Sequence, residues 1–306
     1  MRTAETLKKE GRPVKMLNID RIRARYKRNP EPKEIGEVRR LITESFSKLE
    51  FVEGVHKYYV PDGNGGKTEL PAVSTVVHGF EPYVDWDEKC VQKAERLGID
   101  PDELAKQWHE KNIIATHCGS KTHFFGENAM NMFIGREDAL KKNMPFQYTD
   151  DGYLIPYCGK ERAITKYYED ILANEDVYPV MPEAMIYMGI NDKVKVKKPY
   201  AGTFDILLGF KMGGGIKFAI HDFKTNEDIY KSFSRTYDVM MEPPFGDMGF
   251  YNEPYSCYCI QLSLYQLGLM QLDLDIVDRA LIWLKEDGIY DKVRTPDLTN
   301  TLLEYV

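Results

Sequence analysis

The sequence predicts an α/β fold in which a central mixed β-sheet is flanked by helices. Three short β-prone segments lie in the middle of the chain, at residues 184–190, 201–210 and 216–224. A run of three glycines separates the last two, which is a usual signal for an antiparallel hairpin. Apolar residues recur at helical spacing before and after these segments, at 85–97, 101–132 and 254–272. Strands that adjoin helices in this way are typical of the α/β class.

The remaining elements predict one main domain preceded by an extension. Residues 1–34 are polar and interrupted by three prolines, and a helix is expected from Glu34 to Lys48. The segment 51–77 contains two β-rich runs around a Gly/Asn turn, which predicts a hairpin, and a further strand is expected at 279–285. We divide the chain into a basic extension with a helix (1–50) and a single domain (51–306), which comprises a hairpin (51–80), a helical wall (85–175) and a core (183–285).

Basic residues are concentrated near the N-terminus of an otherwise acidic chain. The net charge is −7, yet residues 1–48 contain fourteen Lys and Arg and only seven Asp and Glu. The densest cluster, residues 21–28, includes Arg21, Arg23 and Arg25. Such a cluster is either a solvated helix face or a set of phosphate contacts. The three arginines are therefore candidate contacts if the chain handles nucleic acid.

The cysteines and the apolar segments favour a reducing compartment. The five cysteines show neither a disulfide framework nor metal-binding spacing, and an odd, scattered set is typical of reduced thiols. No apolar run approaches the roughly 20 residues of a membrane-spanning helix. The first residues, MRTAETLKKEGRPVK, lack the apolar stretch of a secretory signal. We expect a cytoplasmic protein that has no membrane partner.

The segment AGTFDILLGFKMGGGIKFAIHDFKT carries the strongest chemical signal. Side chains alternate between faces along a strand, so Asp222 and Lys224 point the same way while Phe223 faces the opposite layer. Pairing of the hairpin can bring Asp205 beside Asp222, and Glu183 lies near the start of the preceding strand. Converging carboxylates raise one another's pKa values, and a bound divalent cation removes that repulsion. Oxygen-rich ligation favours Mg²⁺ or Mn²⁺.

These residues are the groups that phosphodiester hydrolysis requires. A metal ion polarises the phosphoryl oxygen and lowers the pKa of a bound water. Lys224 is placed to orient the attacking water or to stabilise the charge of the transition state. An isolated Asp-x-Lys is more often a surface ion pair at a strand end. A preceding Gly-Thr-x-Asp strand at hairpin spacing, which includes Asp205, favours the catalytic interpretation.

Taken together, these motifs resemble the RecB-like branch of the PD-(D/E)XK nuclease superfamily, which includes phage exonucleases and the mitochondrial genome maintenance exonuclease. The similarity covers about residues 51–285 and is most specific at 200–265. The segment GSKTHFFGE resembles the Gly-Thr-x-x-His helix of that branch, with Ser120 in place of the Thr. HKYYVPDGNGGKTELPAVSTVV is similar to the opening of its phage members. The motifs that carry the resemblance are Glu183 in PEAMIYMGI, Asp205 in AGTFD, Asp222 and Lys224 in HDFKT, and Gln261 and Tyr265 in YCIQLSLYQLGL.

The resemblance implies a PD-(D/E)XK fold and a Mg²⁺- or Mn²⁺-dependent DNA exonuclease of recombination, repair or replication, from a phage or a bacterium. Its expected partners are DNA that is linear or has a free end, and a recombinase or single-strand-binding protein. No cysteine follows Cys259, so the iron–sulfur cluster of some relatives is not expected. The alternatives are a structure- or sequence-specific endonuclease and a catalytically silent DNA-binding protein. Retention of Asp205, Asp222 and Lys224 argues against the silent alternative.

The resemblance also assigns roles to residues. Lys224 serves catalysis, and Ser120 contacts DNA. Gln261 and Tyr265 contact a DNA phosphate or brace Lys224; without the resemblance, they are ordinary positions of an amphipathic helix. For His123 the alternative to a metal ligand is a histidine satisfied within the core or at the surface. The expected metal ligands are Glu183, Asp205, Asp222, the carbonyl of Phe223 and His123.

Overall fold

A computed structural model of the 306-residue chain describes residues 24, 28–141, 155–231 and 239–306. The candidate phosphate contacts Arg21, Arg23 and Arg25 lie outside these residues. The helices are α1 (Lys33–Ser45), α2 (Val73–His78), α3 (Trp86–Leu97), α4 (Pro101–Phe133), α5 (Gly159–Ala173), α6 (Pro254–Met270) and α7 (Thr299–Leu302). The strands are β1 (Glu50–Val52), β2 (Lys57–Pro61), β3 (Lys67–Leu70), β4 (Val177–Tyr187), β5 (Ala201–Met212), β6 (Gly215–Lys224), β7 (Ile276–Leu284) and β8 (Tyr290–Arg294).

The main sheet has five strands in the order β4-β5-β6-β7-β8 and is mixed. Strands β4, β5 and β6 are antiparallel neighbours, β6 pairs with β7 in parallel, and β8 returns antiparallel to β7. The parallel pair requires a crossover, and the 17-residue helix α6 lies within that connection. The predicted α/β class, with a mixed sheet flanked by helices, is confirmed.

Helices cover both faces of the sheet because its strands are apolar on both sides. Ile220 of β6 and Leu281 of β7 pack in one core with the leucines of α6. Phe223 and Ile282, which point the other way, pack in a second core with α5 and the C-terminal half of α4. Strands buried on both faces read as nearly continuous apolar runs, as β5 does.

Helix α4 begins with a strong start signal and is 33 residues long. The carboxylate of Asp100 accepts hydrogen bonds from the backbone N–H groups of Asp102 and Glu103, and Pro101 occupies the first turn. The first half of α4 packs with α3, and its second half packs on the sheet. The predicted helices at 85–97, 101–132 and 254–272 are therefore confirmed to within two residues at each end.

The upstream region differs in part from the prediction. Strands β2 and β3 form the predicted hairpin, and β1 adds a third antiparallel strand. Residues 73–78, which were expected to be β-rich, form helix α2. Val73 and Val77 lie one turn apart and are both buried in the core that contains α6, so tertiary packing overrides the strand preference of a β-branched run.

Helix α1 is part of the packed body of the protein. Its Ile35 and Ile42 are 0% and 1% exposed and lie in the same core as β4. Arg39 donates hydrogen bonds to the backbone carbonyls of Pro179 and Val180 in that strand. Among the described helices, none combines the length and the apolar character needed to cross a lipid bilayer.

Candidate metal centre and its groove

A groove of about 1010 Å³ runs between the main sheet, α4, α6 and the three-stranded sheet β1-β2-β3. Polar and charged side chains from all four elements line it, so it can hold a large polar ligand. Eight of the predicted site residues act through their side chains and lie within the described part of the chain. All eight line this groove: Ser120, His123, Glu183, Asp205, Asp222, Lys224, Gln261 and Tyr265.

Three carboxylates lie in one row across the sheet. The register of β4 with β5 pairs Pro182 with Ile206 and Ala184 with Phe204, which places Glu183 opposite Asp205. The register of β5 with β6 pairs Ile206 with His221, so one residue further Asp205 is opposite Asp222. Side chains directly opposite each other on neighbouring strands have Cβ atoms about 4.5–5.5 Å apart. The sheet therefore presents Glu183, Asp205 and Asp222 side by side.

The backbone has two local features at the row of carboxylates. Glu183 has a positive φ of 44°, a conformation that is uncommon for non-glycine residues and that is enriched at functional sites. The backbone N–H of Phe223 donates a hydrogen bond to Asp205 Oδ2 over 2.5 Å. The Phe223 side chain is buried on the opposite face, as predicted. Its carbonyl stays a predicted ligand.

His123 reaches the same place from helix α4. Its Nδ1 lies 2.9 Å from Asp205 Oδ1, although the two residues are 82 positions apart in sequence. One ligand atom each from His123, Glu183 and Asp205 lie within 4.8 Å of one another. One imidazole and two carboxylates at this separation can share a single divalent cation. These three residues are the part of the expected ligand set that the structure gathers most closely.

Asp222 is directed toward Lys224 instead of the other ligands. Its Oδ2 lies 2.5 Å from Lys224 Nζ, and the two side chains are only 5% and 12% exposed. The prediction that they share one face of β6 is confirmed. Burial raises the pKa of Asp222, and the negative charge of Asp205 raises it further. Asp222 therefore remains electrostatically linked to the row.

The charges in the row do not suit simultaneous ionisation. Burial raises the pKa of Glu183 well above its ordinary value, and Asp205 and Glu127 raise it further. Burial also opposes ionisation of Asp205, but His123 and Lys224 outweigh it and lower the pKa of Asp205. Burial opposes protonation of His123, but Asp205 outweighs that and raises the pKa of His123. The cluster therefore resists full ionisation, and a bound cation would remove that resistance.

Gln261 and Tyr265 connect to Lys224 through one chain of hydrogen bonds. Lys224 Nζ donates to Gln261 Oε1 over 3.0 Å, and Gln261 Nε2 donates to Tyr265 Oη over 2.8 Å. Of the two roles left open for Gln261, the geometry supports bracing of Lys224. Tyr258, which belongs to none of the sequence motifs, places its ring against the same ammonium. The signal that could have found it is its position three residues before Gln261, on the same helix face.

A second ion pair at the groove was also missed from the sequence. Lys141 lines the groove, and its Nζ lies 2.9 Å from Glu127 Oε2 and 4.6 Å from the ring centroid of Phe124. Asn128 fixes its backbone, donating to the carbonyl of Lys141 and accepting from its N–H. Glu127 follows His123 by one helical turn, so that spacing could have predicted it, whereas no local signal predicted Lys141.

Comparisons with known proteins add no family assignment to this geometry. No protein-family model matches the chain, and a search of the curated proteins finds no match.

Proposed function

We propose that this chain is a metal-dependent deoxyribonuclease with a PD-(D/E)XK catalytic core, and that it acts as an exonuclease on DNA with a free end. The observation that carries the proposal is the row formed by Glu183, Asp205 and Asp222, with Lys224 at its edge. It lies in a groove of about 1010 Å³, and it combines the acidic and basic groups that phosphodiester hydrolysis needs.

The donor set fits a divalent cation of the Mg²⁺ or Mn²⁺ type. His123, Glu183 and Asp205 bring their ligand atoms within 4.8 Å of one another, and Asp222 adds negative charge beside them. His123, Glu183 and Asp205 would hold the ion, with Asp222 as a fourth candidate ligand. When bound, it would polarise a phosphoryl oxygen and lower the pKa of a coordinated water.

Lys224 supplies a fixed positive charge beside the row. Its ammonium is held by Asp222, Gln261 and Tyr258, so little reorganisation is needed when negative charge develops on the phosphate. The nearby charges raise the pKa of Lys224 although burial opposes this, so the side chain stays protonated at neutral pH. Lys224 is therefore the residue that stabilises the transition state.

Further lysines make the groove suitable for a polyanion. Lys111 projects into it from α4, Lys160 from the start of α5, and Lys141 stands near Glu183. In this proposal their ammonium groups contact phosphates whatever the base sequence, and Lys141 and Lys160 exchange their present carboxylate partners for phosphate oxygens. The preference for DNA, for a free end and for a role in recombination, repair or replication comes from the motif resemblance.

The test is cleavage of end-labelled linear and closed circular DNA, single- and double-stranded, with Mg²⁺ and then with EDTA. We expect degradation of linear DNA alone, and its loss with EDTA. Nicking of circles would indicate an endonuclease, and binding without cleavage would indicate the silent alternative. The variant Asp205→Asn should be inactive, whereas Asp176→Asn, at an exposed position just before β4, should behave as the wild type.

A further inference from the structure

Helix α6 presents a third side chain on the stripe that faces Lys224. Tyr258, Gln261 and Tyr265 are spaced at i, i+3 and i+7, so they lie on one helix face. Gln261 and Tyr265 form the hydrogen-bonded chain described above. Tyr258 contributes its ring, whose centroid lies 3.9 Å from Lys224 Nζ. This distance is well inside the limit of about 6 Å for attraction between a cation and an aromatic face.

The ring of Tyr258 is itself held in place. Its hydroxyl donates a hydrogen bond to Asn226 Oδ1 over 2.7 Å, and the Asn226 carbonyl accepts one from Trp283 Nε1 over 2.8 Å. Asn226 follows Lys224 by two residues, and Trp283 lies on the neighbouring strand β7. The anchor of the ring thus belongs to the same segment that carries the lysine. A largely buried tyrosine hydroxyl needs a partner in any role, and here that partner fixes the orientation of the ring beside Lys224.

The ring differs from the other two partners of the ammonium in what it does to the charge. Asp222 neutralises the ammonium and is also a candidate ligand of the metal, so it is shared between two cations. Gln261 Oε1 accepts a hydrogen bond from one of the three ammonium N–H groups. An aromatic face attracts a cation without carrying a negative charge. Tyr258 can therefore hold Lys224 in position and leave its positive charge available to the substrate.

We propose that Tyr258 is a positioning residue, whose ring face holds the Lys224 ammonium at the edge of the carboxylate row. This inference rests on the proposed function, because it assigns Tyr258 a role through the lysine that stabilises the transition state. It also predicts which property of Tyr258 matters. The electron-rich face of the ring is required, and the hydroxyl serves to orient that face.

The experiment varies the electron density of the ring face while keeping the shape of the ring nearly constant. Position 258 carries first phenylalanine and then phenylalanine with one, two and three ring fluorines, which progressively withdraw electron density from the face. Single-turnover cleavage is measured together with KM for DNA, Mn²⁺ affinity and the melting temperature. We expect Tyr258→Phe to retain most of the activity. The rate should then fall stepwise by about 10- to 30-fold across the series, with KM, Mn²⁺ affinity and melting temperature unchanged.

The same series at Tyr255 is the matched control. Tyr255 lies nearly one turn earlier on α6, where its ring packs with Tyr230 and its hydroxyl donates to the carbonyl of Arg294. Fluorination there should leave the rate unchanged. If the wild type cleaves DNA but the series at position 258 is flat, or the loss follows the melting temperature, the role of Tyr258 is overturned while the proposed function stands. If the wild type cleaves no DNA, the proposed function itself is overturned, and this inference with it.

Discussion

Replacing Lys224 by methionine removes one positive charge from the groove while keeping most of the side-chain volume. Three contacts are lost at once: the pairing with Asp222, the hydrogen bond to Gln261 and the contact with the ring of Tyr258. Because both charged side chains are nearly buried, Asp222 is left as an uncompensated charge. Removing one partner of a buried ion pair destabilises a protein by about 3 kcal/mol or more.

This loss of stability should depend on pH, and the direction of the dependence follows from the pKa of Asp222. Burial and Asp205 already raise the pKa of Asp222, and Lys224 counteracts them. Without Lys224 the pKa rises further above its unfolded value of about 3.9. A carboxyl whose folded pKa is raised destabilises the fold above that pKa, and the loss disappears below the unfolded value. Lys224→Met should therefore be much less stable than the wild type at about pH 8 and similar to it near pH 4.

The rate of DNA cleavage should fall by more than the loss of folding stability explains. If Lys224 acts as a preorganised electrostatic donor, its removal costs about 2–4 kcal/mol of transition-state stabilisation, which is roughly 30- to 1000-fold in rate. Metal affinity should be unchanged or higher, since a positive charge beside the cation site is gone. DNA binding in Ca²⁺ should persist. Chemical denaturation at the two pH values, single-turnover cleavage and Ca²⁺-supported DNA binding measure these effects on one preparation.

The matched control is Lys217→Met, the same substitution on the same strand. Lys217 pairs with Asp275 at the surface and does not line the groove. It should change stability by less than about 1 kcal/mol and leave the rate alone. A wild-type rate for Lys224→Met, or equal effects of the two substitutions, would refute the catalytic role of Lys224.

Three further predictions follow from the row of carboxylates and from the core. Asp222→Asn should abolish cleavage with the fold retained, as judged by circular dichroism; undiminished turnover at saturating Mg²⁺ would remove it from the site. Mn²⁺ affinity should rise with pH, because the ion competes with protons for the Glu183 carboxylate, whose pKa is raised. In calorimetric titrations Glu183→Gln should weaken Mn²⁺ binding and flatten its dependence on pH. Gly268→Ala should cost about 1–3 kcal/mol in urea unfolding, because a Cβ there would meet Ile186 Cδ1 at 2.1 Å. Gly54→Ala, where nothing lies within 4 Å, is its control, and equal losses would contradict the packing at Gly268.

Local periodicity was enough to predict the strand that carries Asp222 and Lys224. Alternation along β6 separates these two residues from Phe223, and the glycines of the turn define the hairpin with β5. Both features depend only on residues that are close in sequence, so they can be predicted from this sequence alone.

The row of carboxylates could be predicted only in part, because it depends on pairing between distant segments. Glu183 faces Asp205 through the register of β4 with β5, which are separated by thirteen residues and paired with an irregularity near Pro179. His123 meets Asp205 across 82 residues. A one-residue slip of register would move a side chain to the other face, and no local pattern fixes it.

One wrong prediction and one omission have the same physical origin. Residues 73–78 are rich in β-branched residues, yet burial of Val73 and Val77 makes them helical. In the sequence Tyr258 looks like any tyrosine of an apolar helix, and its contact with Lys224 is set by the rotation of α6 relative to β6. In both cases tertiary packing decided what local preference could not.

The central claim is that the row of carboxylates binds the cation on which DNA hydrolysis depends. The most direct test measures Mn²⁺ binding by electron paramagnetic resonance in the wild type and in Asp205→Asn. Cleavage of linear DNA is measured on the same samples. The account predicts Mn²⁺ bound by the wild type, cleavage that rises with its occupancy, and loss of both in Asp205→Asn. Cleavage by the wild type in excess EDTA, or wild-type Mn²⁺ binding and cleavage by Asp205→Asn, would contradict it.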